Sequence, residues 1–146
     1  MAPIFSKDSE DTKIAIDKLQ QFINSFPDSE FNDDANELIF ELDYRLELKE
    51  FNIALQYNVL TDYQAAIKSF ENFLIDFPGS DLREKAMYYR FDSAYKLAIN
   101  SVVWKQKERI ENAVSYFNSF KNSYNDSELM DEMESKLSEL SEINNI

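Results

Sequence analysis

Three stretches of the chain repeat one another without a gap. Ala15-Ile-Asp-Lys-Leu-Gln-Gln-Phe22-Ile-Asn-Ser-Phe26-Pro27-Asp-Ser29 is matched by Ala66-Ile-Lys-Ser-Phe70-Glu-Asn-Phe73-Leu-Ile-Asp-Phe77-Pro78-Gly-Ser80, and again by Ala113-Val-Ser-Tyr-Phe117-Asn-Ser-Phe120-Lys-Asn-Ser-Tyr124-Asn-Asp-Ser127, at offsets of 51 and 47 residues. Repetition at such a period restricts the fold strongly, because one unit cannot bury its apolar face alone and must stack on its neighbours. In the second copy Ala66, Phe70, Phe73, Leu74 and Phe77 recur at spacings of three and four, which is one stripe of an α-helix. Proline disfavours the helical conformation of the residue before it, so the first two copies end at Phe26 and Phe77. Ser29, Ser80 and Ser127 are each followed by an acid (Glu30, Asp81, Glu128), the pattern of an N-cap with a carboxylate facing the helix dipole.

A second helix follows each stripe. Ala35, Leu38, Ile39, Leu42, Leu46, Ala54, Leu55 and Tyr57 predict a long helix to about Asn58. Ala86, Met87, Arg90, Ala94, Leu97 and Ala98 predict another, ending near Asn100, and Met130, Met133, Leu137 and Leu140 a short terminal one. The last segment carries Lys136 as its single base among acids and reads as a solvated cap. Helices are therefore expected over 9–26, 30–58, 62–77, 81–100, 106–124 and 128–142. The expected fold is all-α, a solenoid of helix-turn-helix repeats with about six helices. Residues 1–7 are read as a disordered start introduced with Met1-Ala2 by cloning. The single domain over 8–146 divides into a partial repeat (8–29), two repeats (30–80 and 81–127) and a capping helix (128–146).

Composition narrows the function. One Gly and three Pro among 146 residues argue against a β-rich domain with its many tight turns. A net charge of −13 disfavours nucleic acid as a partner. Without Cys or His the chain lacks the thiol nucleophile, the usual general base and the commonest zinc ligands. No catalytic residue, cofactor or metal site is expected. Asp33-Asp34 and Asp131-Glu132 have no glycine-containing calcium loop beside them and read as solvated surface. No apolar stretch reaches the roughly 20 residues that span a bilayer.

The middle unit resembles a tetratricopeptide repeat: Ala54 and Tyr57 fall on its first helix, Ala66 and Phe70 on its second, and Pro78 closes it. Ile53 and Ala54 stand where that motif has a bulky residue and a glycine. A longer match, Asp34-Ala-Asn-Glu-Leu with Leu42, Leu46, Phe51, Ala54, Tyr57, Asp62-Tyr63 and Ala66, resembles the outer-membrane assembly lipoprotein BamD family. Tyr89-Arg90, Ala94, Leu97-Ala98, Asn100-Ser101 and Lys107-Glu-Arg109 extend it. The resemblance covers roughly residues 8 to 127 and only the later repeats of that family. It implies that the chain begins mid-protein, without the first helix of the opening repeat and without the lipid-bearing cysteine that would tie it to the membrane. It further implies a periplasmic scaffold at the Gram-negative outer membrane. Its protein partners would be the barrel-forming assembly subunit, met through that subunit's periplasmic part, and other members of the complex. A generic peptide-binding adaptor and a helical accessory domain of a periplasmic cell-wall enzyme stand as alternatives.

One segment departs from the acidic background. From Arg83 to Arg109 there are seven bases (Arg83, Lys85, Arg90, Lys96, Lys105, Lys107 and Arg109) against three acids, and the segment holds Trp104, the only tryptophan. Trp and Arg are frequent interface anchors. Arg83, Arg90, Trp104, Lys105, Lys107 and Arg109 are the candidate partner-binding residues. At this point Trp104 has two readings, an anchor or local packing beneath its own loop. The aromatic stripe is likewise either inter-helix core or the lining of a groove.

Overall fold

The structure, a computed structural model, describes residues 4–144, with side chains over 9–143. Six helices run α1 (Ile4–Ser25), α2 (Asn32–Val59), α3 (Tyr63–Asp76), α4 (Arg83–Ile99), α5 (Val103–Ser123) and α6 (Met130–Asn144), with no strand among the described residues. All six expected helices are present, and the fold is all-α, built from helix-turn-helix repeats of the tetratricopeptide type. Of the start expected over 1–7, residues 1–3 lie outside the described residues, and Ile4–Lys7 belong to α1. Residues 145 and 146 of the expected cap also lie outside them.

The repeat holds at the level of individual hydrogen bonds. Each stripe ends on an aromatic residue whose N–H donates to the carbonyl four residues back: Phe26 to Phe22, Phe77 to Phe73, Tyr124 to Phe120, at 2.8–2.9 Å. The same two rings pack at 5.4, 5.3 and 5.5 Å between centroids in the three copies. The serines are not helix N-caps, contrary to the sequence expectation. Each hydroxyl accepts from the N–H two residues on (Phe31, Leu82 and Leu129, at 3.2, 3.0 and 3.1 Å). Each serine carbonyl accepts from the residue three on, where the α-helix begins: Asn32, Arg83 and Met130. The serine thus caps a tight turn that feeds the helix, and the helix starts one turn later.

Two compact units can be described, Met1–Lys49 and Glu50–Ile146. The core of the second is built on a repeated contact. Phe51 of α2 sets its ring 5.9 Å from Phe70 of α3, and Phe91 of α4 sets its ring 6.0 Å from Phe117 of α5. Three residues further on, fully buried Ala54 and nearly buried Ala94 let each helix pair close. The bulky member of the motif is therefore Phe51 rather than Ile53, which is 37 % exposed. Ala66 and Ala113, both fully buried, hold the matching small positions on the second helices. Between α2 and α3 the chain turns through Thr61, whose φ of 65° is left-handed. Asp62 N–H donates to the Tyr57 carbonyl and Thr61 N–H to that of Asn58, a Schellman closure. Asp62 then caps α3 through its carboxylate on Ala65 N–H.

The first unit holds buried Ala35 and Leu46 and a turn closed by Asn32, whose amide donates to the carbonyls of Phe26 and Pro27 at 2.8 and 3.0 Å. Phe26, Phe31, Leu38 and Phe40 are exposed.

Candidate protein-binding surface

Counted from its end, α4 repeats α2 at an offset of 40 residues, since Phe91 and Ala94 take the places of Phe51 and Ala54. The second helices repeat at 47, Ala113 taking the place of Ala66. The difference is seven residues. It appears as α5 having 21 residues where α3 has 14. Tyr63, the first residue of α3, corresponds to Ile110, so residues 103–109 are an extension of about 10 Å on the front of α5.

That extension holds Trp104, Lys105, Lys107 and Arg109. Val103 and Trp104 are 82 % and 81 % exposed, so the local-packing reading of Trp104 does not hold. Ile99 and Val102 continue the apolar surface, and Lys105 and Lys107 stand exposed beside it. The guanidinium of Arg109 turns back to the Ser101 hydroxyl at 2.6 Å, and Gln106 donates to the Ala98 carbonyl at 3.3 Å, fastening the turn between α4 and α5. The start of α5 breaks the local rules of helix formation. Val102 at the N-cap offers no side-chain acceptor, the first turn has no acid, and Lys105 opposes the helix dipole. The start of α5 is thus apolar, basic and uncapped, and the rest of the fold holds it in place against local preference.

Arg83 and Arg90 are elsewhere. Arg83 begins α4 while the Trp104 turn follows its end, about 25 Å away along the helix. Arg83 and Arg90 line an open groove of about 600 Å³ with Glu71, Leu74 and Met87. The Arg90 guanidinium lies 4.3 Å above the ring of Tyr116, whose hydroxyl donates to Glu71 at 2.7 Å. Burial lowers the pKa of Arg90, while burial and the bond to Glu71 push Tyr116 up to about 12. Arg90 Nε is buried without a hydrogen-bond partner, and neither arginine pairs with a carboxylate among the described residues. The six candidate residues thus form two groups, four at the α4–α5 junction and two in this groove.

A polar cluster has no counterpart in the sequence reading. Asp92, 3 % exposed, accepts from Lys96 at 2.9 Å, Lys136 at 2.8 Å and the Asn58 amide at 3.2 Å. Lys136 also bonds Tyr88 and Glu132, at 2.9 and 3.0 Å. Burial alone raises the Asp92 carboxyl, but the bonds from Lys136, Lys96 and Asn58 outweigh it and hold the group below the usual carboxylate range. Asp92–Lys96 and Glu132–Lys136 are each four apart on one helix, but Asp92 lies 34 residues from Asn58 and 44 from Lys136, and nothing in the spacing joins those. A second exposed apolar turn also went unread: Val59 and Leu60, between α2 and α3, are 70 % and 65 % exposed.

No curated protein matches the chain. Among the described residues no helix is long and apolar enough to cross a membrane. The family model YfiO, described as outer membrane lipoprotein, matches residues 2–101, which include α1 to α4 and the turn after them. With that match over two thirds of its length, and with tetratricopeptide-type hairpins beneath it, the chain belongs to the YfiO family of BamD-type outer membrane lipoproteins.

Proposed function

We propose that the chain is a non-catalytic scaffold subunit of the machinery that assembles β-barrel proteins in the outer membrane. It works at the periplasmic face and holds the periplasmic part of the barrel-forming subunit. The observation that carries this reading is Trp104: a tryptophan 81 % exposed at the tip of a helix extension, flanked by Val103, Lys105 and Lys107. Trp104 supplies apolar area at the centre of the contact, worth about 2 kcal/mol if it acts as an anchor. Lys105 and Lys107 steer an acidic partner face, and Arg109 supports the turn through Ser101. Titrating the chain with the partner's periplasmic domain tests this. Trp104→Ala should weaken binding about thirtyfold, as a 2 kcal/mol loss requires. Lys105→Glu with Lys107→Glu should slow association and flatten its salt dependence. Wild-type binding by both folded variants places the interface elsewhere.

The adaptor reading has its own support in the groove of Arg83 and Arg90, two guanidiniums with no carboxylate partner among the described residues and suited to an acidic peptide group. If Arg83→Ala with Arg90→Met abolishes binding of an acidic peptide while Trp104→Ala leaves it intact, the adaptor reading gains over the scaffold.

A further inference from the structure

The groove of Arg83 and Arg90 breaks the repeat around it. Counted from Ser29, Ser80 and Ser127, Arg90 takes the place of Ile39 in the first copy and Leu137 in the third, and Arg83 that of Asn32 and Met130. Ile39, Arg90 and Leu137 are all half-buried, and Leu137 packs against the core beside it. The middle unit therefore sets a guanidinium where the other two set an aliphatic side chain. Tyr116 is equally particular to this unit, since Lys18 and Ser69 hold its place in the other stripes.

Desolvating a charge is costly unless a partner compensates it, and the compensation here is incomplete. The ring of Tyr116 on α5 lies under the Arg90 guanidinium, and its hydroxyl is fixed on Glu71 of α3. Glu71 is thereby occupied and makes no ion pair with either arginine. Arg90 Nε stays buried without a partner. Arg83, Met87 and Arg90 follow one another at spacings of four and three on one face of α4. Leu74 and Ile75 of α3 line the groove with them, and so do Ser119 and Asn122 of α5. Ile75 is 75 % exposed.

We propose that this groove binds an extended acidic segment of a partner protein, with two side-chain carboxylates three residues apart and an aliphatic residue between them. Seven helical residues separate Arg83 from Arg90 by about 10 Å along α4, which three residues of extended chain also cover. A guanidinium takes a carboxylate on two parallel N–H donors. Met87, between the arginines, takes the aliphatic side chain with Leu74 and Ile75, and Ser119 and Asn122 offer polar groups to the peptide backbone. A bare inorganic anion would leave that apolar wall unused. The inference rests on the adaptor reading of this groove and names its ligand; it is independent of the contact at Trp104.

The probe is the blocked peptide acetyl-Gly-Glu-Leu-Ser-Glu-Gly-amide, whose only carboxylates are side chains, titrated into the whole chain. Binding should weaken about tenfold or more when Gln replaces both Glu residues, and about threefold or more when Ser replaces Leu or the two acids are made adjacent. The chain variants carry residues of the other copies. Arg90→Leu and Arg83→Asn should each weaken binding about tenfold with the urea midpoint near wild type, because each new residue already serves that place in another repeat. Should Arg90→Leu fail to fold, Arg83→Asn and the peptide series still decide. Binding that survives the arginine changes overturns the proposal. So does inorganic phosphate competing as well as the peptide, or a free C-terminal carboxylate replacing the two Glu residues. Binding that needs both arginines but ignores the Leu and the acid spacing overturns it while the adaptor reading stands. Absence of binding by any acidic peptide removes both.

Discussion

The ammonium of Lys136 lies 2.8 Å from a carboxylate oxygen of Asp92, joining α6 to α4 across 44 residues of sequence. Lys96 and Asn58 hold the same carboxylate, so α2 and α4 share one buried anion with α6. Removing one partner of such a group costs more than the pair contributes, because the other charge stays desolvated.

Lys136→Met should therefore destabilise the chain by about 2–4 kcal/mol, somewhat below a fully orphaned charge because Lys96 remains. Asp92→Asn should cost less, and the double variant should recover part of the loss. Urea unfolding of the four proteins measures the coupling as a double-mutant cycle. Strictly additive losses would show that the pair does not act as a unit.

The pKa shifts set a pH window. Asp92 is depressed in the folded chain, as is Glu132, which hydrogen bonds from Tyr88 and Lys136 stabilise as an anion. Their contribution is present above the unfolded carboxylate value of about 4 and is lost as pH falls through the folded values. Asp92→Asn should flatten this acid limb of the urea midpoint. On the alkaline side burial pushes Tyr88, Tyr95 and Tyr116 up to about 12, with the bonds to Glu132, Glu139 and Glu71 adding to it. Raised values mean stability that is full below pH of about 10 and is lost as pH rises toward 12. Tyrosinate absorbance should show three of the eight tyrosines titrating late.

Thr61 is a β-branched residue at φ 65° in a closure that usually holds glycine. Thr61→Gly should stabilise the chain by about 0.5–1 kcal/mol, the relief of left-handed strain exceeding the entropy glycine adds to the unfolded state. A lower urea midpoint in this variant would mean that the Thr61 side chain makes a compensating contact.

Ala66 is fully buried where α3 crosses its neighbours. Ala66→Leu should overpack the crossing and cost about 1–3 kcal/mol. An unchanged midpoint would show that the site has room to expand.

Helix number and order were legible because aromatic and small residues at three and four spacing repeat three times. Side-chain partners were less so. Phe51 is not among the residues of the expected stripe, although it stands three before Ala54 and four before Leu55, and it is buried because α3 and α4 both reach it. Leu38 and Tyr57 sit on the expected stripe and are exposed, since periodicity names a face without saying what covers it. The α-helix begins one turn after each serine rather than at it, and the sequence does not separate the two because an ST-turn and an N-cap share the same residue preference. Of the six candidate residues, the junction group was legible as charge beside tryptophan. That Arg83 and Arg90 stand apart follows only from the length of α4, and the Asp92 cluster depends on contacts between distant segments.

The seven residues that lengthen α5 are close to two full helical turns, about 20° short of them. An insertion of that size is nearly phase-neutral: Ala113 and Phe117 keep facing inward while Trp104 is carried outward. Five extra residues would have rotated the tip by roughly 140° and turned a different side chain outward. Reach and core are therefore separable in this hairpin. Selection can lengthen or shorten the arm by whole heptads without renegotiating the packing that folds it.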